Sequence, residues 1–277
     1  MKRTFVLSLL FFMTVSSVRS QYYYKDIVSS TQLQADMARY KENKVRTINI
    51  KSFEDDGSPS EGFFAQKKIT KDYTRTELFT RSNISAPSML TTSFNNKGQL
   101  LQTHDSSDIA VTTNSYQYNA EGKIGTIISS IRSSDDDFKS EIHEEHLYVY
   151  DDQGRPAKMT RIKNFRDSIV ILFATDEHGN IAIEKDTRTG TKYYYYYDAK
   201  KRLTDVVQEN DFKIKMYPDY IFEYNNSAGL VSQMTTTEEG GNYYYVWKYT
   251  YDNGLRIKEK CFNKERRLMG SIEYEYK

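Results

Sequence analysis

A seven-residue unit recurs along the chain and restricts most of it to antiparallel hairpins. It runs aromatic, Asp or Asn, two polar residues, Gly, one polar residue, then an aliphatic residue. The best copies start at Phe94 (Asn95, Gly98, Leu100), Tyr118 (Asn119, Gly122, Ile124) and Tyr150 (Asp151, Gly154, Pro156). Looser copies start at Phe53, Thr175, Tyr197, Tyr224, Tyr251 and Phe262. The spacing has a physical cause. A type I turn favours Asp or Asn at its first position and Gly at its fourth, and a Gly with positive φ closes the hairpin with a one-residue bulge. The aromatic and the aliphatic residue six positions on then become cross-strand neighbours, a pairing that stabilises sheets.

Several units carry a second aromatic two residues upstream, as in Tyr116 with Tyr118, Tyr148 with Tyr150, and Tyr195 with Tyr197. In a strand these share one face. The chain holds 24 Tyr and a single Trp, Trp247, so Tyr is the systematic core element here; it pairs a large apolar area with a hydroxyl that needs a partner. The expected fold is all-β: tandem antiparallel hairpins in a meander forming a large curled sheet or open shell, with a short N-terminal helix. Tips fall at Asn96 and Lys97, Ala120 and Glu121, and Asp152 and Gln153. Lys201 and Arg266 stand where the unit has Gly, which makes those two turns harder to place. Asn253 and Gly254 suit a tighter turn.

The unit resembles the tyrosine-aspartate (YD) repeats of Rhs-like secreted bacterial proteins, best seen at Tyr150, Asp151 and Gly154, over roughly Phe53 to Lys277. The resemblance implies hairpins that coil into a sheet or shell on secreted or cell-surface proteins, in contact with glycans or partner proteins. The copies are degenerate and irregularly spaced with no appended toxin domain, which argues against a closed shell and a toxin role.

At the N-terminus, Lys2 and Arg3 precede an apolar run from Phe5 to Val15, and small residues Val18 and Ser20 precede Gln21. That is a secretory signal pattern with cleavage after Ser20. The expected organisation is a signal peptide over 1–20 and one hairpin-repeat domain over 21–277. Leu33, Met37 and Tyr40 fall at helical spacing, predicting a short helix over 31–44 that covers an exposed sheet edge. No later stretch approaches the length of a transmembrane helix. The expected location is secreted: periplasmic, outer-surface or extracellular. One cysteine, Cys261, excludes an intrachain disulfide. A net charge of +1 without a basic stripe speaks against a nucleic-acid partner.

Little local chemistry stands out. His143 and His146 lack the spacing of zinc-protease ligands, and strand geometry sends them to opposite faces, so the segment from Glu141 to His146 reads as a solvated strand. Asp135 to Asp137 read as a polar hairpin tip, and Cys261 as a small core residue. Nucleophile elbows, phosphate loops and dinucleotide fingerprints are absent, and no metal or other cofactor is expected. The Tyr tracts remain: Tyr193, Tyr194, Tyr195, Tyr196 and Tyr197, with Tyr243, Tyr244 and Tyr245. Alternation buries one subset and presents the other. The expected function is a noncatalytic binding or structural scaffold of the cell envelope or extracellular space, contacting protein or glycan through exposed Tyr or hairpin tips. The alternative is a polysaccharide hydrolase using Asp/Glu pairs from different hairpins, and an outer-membrane barrel is the weakest reading, because Lys158, Arg161, Lys163, Glu184 and Lys185 interrupt a lipid-facing alternation.

Overall fold

The structure, a computed structural model, describes residues 21–134, 140–209, 217–225, 229–238 and 241–277. The acidic segment Asp135 to Asp137 lies outside the described residues. A π-helical turn, Tyr23–Val28, runs directly into helix α1, Ser29–Glu42. Eighteen strands follow: β1 (Thr47–Phe53), β2 (Phe64–Ile69), β3 (Arg75–Arg81), β4 (Ser88–Phe94), β5 (Leu100–Ser106), β6 (Ala110–Tyr118), β7 (Ile124–Ser133), β8 (Glu141–Tyr150), β9 (Pro156–Lys163), β10 (Asp167–Thr175), β11 (Ile181–Asp186), β12 (Lys192–Tyr197), β13 (Leu203–Glu209), β14 (Pro218–Tyr224), β15 (Val231–Thr237), β16 (Tyr244–Asp252), β17 (Leu255–Asn263) and β18 (Leu268–Tyr276).

Each strand pairs antiparallel with its neighbours in sequence, and β1 also pairs with β18, from Ile48 against Tyr276 to Phe53 against Ser271. The sheet is therefore a closed up-and-down barrel of 18 strands, which corrects the expected open, curled sheet. Closure satisfies the row of backbone groups that each terminal strand would otherwise expose, and it leaves no edge for the helix to cover.

The helix goes inside instead. Met37, with Leu33 and Tyr40, packs among Ile48 of β1, Leu100 of β5, Trp247 of β16 and Ile272 of β18. One turn earlier in the barrel, Tyr22 meets Ile124, Met159 and Ile171, while Tyr23, Tyr24 and Val28 meet Tyr193, Tyr195 and Phe222. Only a segment in the lumen touches strands all the way round. Barrels of 16 to 18 strands can enclose a water-filled channel; here the helix and inward-facing Tyr, Ile and Met side chains occupy the lumen. The helix stops at Asn43, where Lys44 takes φ 56° and the Val45 N–H donates to the Tyr40 carbonyl (2.9 Å), a left-handed cap made without glycine. Among the described residues no helix is long and apolar enough to cross a membrane.

The turns follow the repeat chemistry. At Asp151 the backbone carbonyl accepts the Gly154 N–H (2.8 Å), and the side-chain Oδ1 accepts from Gln153 (3.0 Å) and Arg155 (2.8 Å). Gly154 has φ 72° and Gly122 φ 78°. Lys201 and Arg266 hold the same conformation, at φ 60° and 62°, with their N–H groups on the carbonyls of Asp198 and Asn263 (both 2.9 Å). The Asp and Asn caps thus impose the turn even where a Cβ resists it. At Asn253 and Gly254 both φ values are positive, the signature of the tighter two-residue turn. The Tyr224 turn is one residue longer than the repeat pattern, pairing Tyr224 with Val231. Gly154→Ala is expected to destabilise the barrel by about 1 kcal/mol, and Lys201→Gly to stabilise it by about 0.5–1 kcal/mol, because a Cβ is strained at positive φ. Urea denaturation of both variants checks the pair of opposite signs.

The hairpins that begin at Phe94, Tyr118, Tyr150, Thr175, Tyr197, Tyr224 and Tyr251 all turn at one end of the barrel, while those at Phe53 and Phe262 turn at the other. At the first end the repeat tyrosines tie successive hairpins together. Tyr118 donates its hydroxyl to the Leu100 carbonyl (2.8 Å), Tyr150 to Ile124 (2.7 Å), Tyr197 to Ile181 (2.9 Å), Tyr224 to Leu203 (2.7 Å), Tyr251 to Val231 (2.8 Å) and Tyr276 to Arg256 (2.7 Å). Each bond reaches a carbonyl at the start of an earlier hairpin's return strand. The hydroxyl explains why the unit uses Tyr where Phe would fill the same space.

Candidate functional site

Strand alternation divides the first Tyr tract. Tyr193 and Tyr195 are buried in the lumen, and Tyr197 also points inward, closing on the Ile181 carbonyl. Tyr194 and Tyr196 face outward. Tyr194 donates to the Glu209 carboxylate, which Lys192 also approaches at 3.4 Å, and Tyr196 is 50% exposed. In the second tract Tyr243 is exposed in the connection before β16, Tyr244 faces outward in register with Thr237, and Tyr245 packs inward on the core. Strands β13 to β15 separate the two tracts, so the structure does not bring them into one surface. It does align Ala174, Ile183, Tyr194 and Val207 across β10 to β13. This outward apolar row has Tyr196 beside it and Lys185, Lys192 and Glu209 along its margin.

The most elaborate polar constellation lies in the lumen, at residues whose composition predicts a solvated strand. His146 is buried between two carboxylates, its Nδ1 2.6 Å from Asp26 Oδ2 on the plug and its Nε2 2.8 Å from Glu144 Oε1 on its own strand. Tyr148 also donates to Asp26 Oδ2 (2.8 Å). Arg161, on the neighbouring strand, donates to the Tyr22 hydroxyl (3.0 Å) and lies 3.7 Å from Glu144. The Tyr22 ring meets the imidazole edge-on at 4.9 Å. Burial works against the charged ring, but the charges and hydrogen bonds of Asp26 and Glu144 outweigh it and raise the His146 pKa to about 9. The ring is an imidazolium at neutral pH, donating from both nitrogens, and His146 tethers plug to wall.

The signal for this was present in the sequence: Glu144 and His146 share parity with Tyr148 and Tyr150, so the strand that buries those tyrosines buries the charges too. His143, of opposite parity, faces outward, bonded to Glu145 (2.9 Å) and stacked on Phe165 at 4.2 Å. The carboxylates of Asp26 and Glu144 are both committed to one ring, an arrangement that holds a structure together and leaves neither free as acid or nucleophile. Among the described residues no cluster of His, Cys, Asp and Glu is arranged to hold a metal ion. Cys261 is buried beside Trp247, and burial pushes its thiol up to about 12.

A second lumenal acid, Glu184 on β11, is fully buried. Its Oε1 accepts the backbone N–H groups of Gln21 and Tyr22 (both 3.0 Å), and its Oε2 accepts from Tyr23 (2.9 Å) and the Tyr195 hydroxyl (2.8 Å). Desolvation raises its pKa, and these four donors oppose the rise. Towards the repeat end of the lumen, a cavity of about 280 Å³ is lined by Asp36, Arg39, Tyr40, Lys67, Arg256 and Tyr274, among others. The Lys67 ammonium sits 5.6 Å over the Tyr40 ring, and burial lowers its pKa.

No family model and no curated protein matches the chain. Among solved structures it is similar to TcdB2-TccC3, at 11% identity and TM-score 0.37, over 84% of this chain and 14% of that one. It is also similar to a porin-like protein from Bacteroides uniformis (11% identity, TM-score 0.39, 84% and 96% of the two chains). A porin-like protein from Bacteroides vulgatus matches at 13% identity and TM-score 0.30, over 84% and 98%. The chain thus spans a small fraction of the TcdB2-TccC3 chain and nearly all of the porin-like proteins, and at these scores the likenesses carry nothing about activity.

Proposed function

We propose that this is an exported, noncatalytic scaffold of the cell envelope or extracellular space, a rigid plugged barrel of YD-type hairpins that binds a protein or glycan partner on its outer wall. The observation that carries the reading is the outward row of Ala174, Ile183 and Tyr194 with the half-exposed Tyr196 beside it. An apolar and aromatic centre within a charged margin of Lys185, Lys192 and Glu209 has the composition of a recognition surface. Tyr supplies contact area at low entropic cost. The hydrophobic interior and the lumenal ion pairs, by contrast, serve the plug.

The test compares wild type with Tyr194→Ser/Tyr196→Ser, using Tyr243→Ser, in the connection before β16, as a control away from this row, for binding to arrayed polysaccharides and to solubilised envelope proteins. Binding weakened about tenfold in the double variant alone, at unchanged thermal stability, is the expected result; a tenfold change is about 1.4 kcal/mol. Equal binding by all three proteins contradicts the assignment.

A further inference from the structure

We propose that the bond between Ser20 and Gln21 is a processing site whose cleavage completes the plug, because the α-ammonium released on Gln21 forms a buried ion pair with Glu184. The inference rests on the export reading and goes beyond it, to what the new terminus does inside the barrel.

Three observations converge on the Gln21 nitrogen. First, it lies 3.0 Å from Glu184 Oε1, across a sequence separation of 163 residues, at a carboxylate with no exposure to solvent. Among the described residues no Lys, Arg or His side chain forms an ion pair with Glu184, whose partners are three backbone N–H groups and one hydroxyl. A buried carboxylate without a counter-charge is costly, and a cation at the position of the nearest donor removes most of that cost. Second, Gln21 has φ 138°, a conformation that an L-residue with a side chain resists. Every other described non-glycine residue with positive φ sits in a turn or at the helix cap, whereas Gln21 is buried at the head of the plug with its amide 3.3 Å from Asp219. A chain that begins at Gln21 has no φ there, so the strain goes with the bond. Third, the charged start, apolar run and small residues Val18 and Ser20 place a signal-peptide cleavage at this same bond.

The chemistry is hydrolysis by an endopeptidase of the signal-peptide class. Water adds across the peptide bond, the Ser20 carbonyl carbon takes the oxygen and leaves as a carboxylate, and the Gln21 nitrogen takes up protons to become an ammonium. That group keeps the hydrogen bond to Oε1 and adds a charge. The uncut chain has only an amide there.

The test uses the protein as exported from cells expressing the full chain. Intact mass locates the terminus, and ¹⁵N-glutamine labelling follows the α-nitrogen of Gln21 by NMR as pH is raised. The expected results are a mass beginning at Gln21 with a free amine, and an amine at least tenfold weaker as an acid than an ordinary terminus, whose pKa is about 7.7–8.0. In Glu184→Gln the amine returns to that range; should this variant not fold, the wild-type titration decides alone. A terminus elsewhere overturns the processing step, and a Gln21 terminus cyclised with loss of ammonia keeps the cut but overturns the ion pair, since no ammonium is left. A free Gln21 amine that titrates normally in wild type overturns the ion pair while leaving export intact.

Discussion

His146→Gln is expected to destabilise the barrel by about 3–5 kcal/mol at pH 7, since it leaves the buried Asp26 and the partly buried Glu144 carboxylates without the cation between them. The wild type should also carry a pH signature. Its imidazole has a folded-state pKa raised from 6.5 to about 9. The stabilisation is therefore complete below the unfolded value and lost as the pH climbs through the folded one. Between pH 7 and pH 9 the loss amounts to about 2 kcal/mol, with each pKa unit worth about 1.4 kcal/mol. Tyr22 and Tyr150 lie above that window, because burial pushes their hydroxyls up to about 12. Urea denaturation at pH 6, 7, 8 and 9 separates the cases. The wild-type midpoint should fall more steeply across the series than the lower midpoint of His146→Gln, and parallel profiles would remove His146 from the tether.

Met37→Asp should be at least as damaging. Met37 is 4% exposed and packs among side chains from β1, β5, β16 and β18. A carboxylate there loses the apolar contacts and either stays charged in an apolar setting or is protonated at a cost, together on the order of 3–5 kcal/mol. The expected outcome is ejection of the plug or global unfolding, seen as loss of protection of the amides of residues 29–42 in hydrogen exchange. A helix lying on the outer wall or across a sheet edge would tolerate the substitution at the cost of a surface change, and a wild-type exchange pattern would show that.

Local features of this fold were legible because they are set within a few residues. Asn95, Asn119 and Asp151 make their turns by bonding their own downstream amides, and that chemistry reads directly from spacing. Lys201 and Arg266 looked irregular because glycine is the usual sign of positive φ, yet the Asp198 and Asn263 caps enforce it without glycine. Closure was not legible. Nothing near Ile48 or Tyr276 announces that they will be partners, since the joining of β1 to β18 depends on twist summed over all the strands between. The plug followed the same rule: Leu33, Met37 and Tyr40 marked an apolar face, but whether it met an edge or a lumen depended on closure. Glu144 and His146 were misread by composition although their parity with Tyr148 was correct, so the alternation was the better guide. The pairing of Gln21 with Glu184 has no local signal, because the two lie 163 residues apart.

The sheet closes on itself around the helix, and a disulfide across the seam tests that closure most directly. Asn49 of β1 and Glu275 of β18 are outward-facing partners in register. Directly opposed residues of antiparallel strands have Cα atoms about 4.5–5.5 Å apart, within the reach of a disulfide. The native thiol stays out of the exchange, because Cys261 is buried with its pKa pushed up to about 12. In Asn49→Cys/Glu275→Cys, mild oxidation of the folded protein should yield a monomer with a closed covalent ring, migrating faster on a non-reducing gel, in near-quantitative amount. In an open sheet the two positions lie at opposite edges, on the order of 80 Å apart if flat at about 4.8 Å per strand. Free thiols or disulfide-linked dimers alone would then be recovered, and either result would contradict the closed barrel.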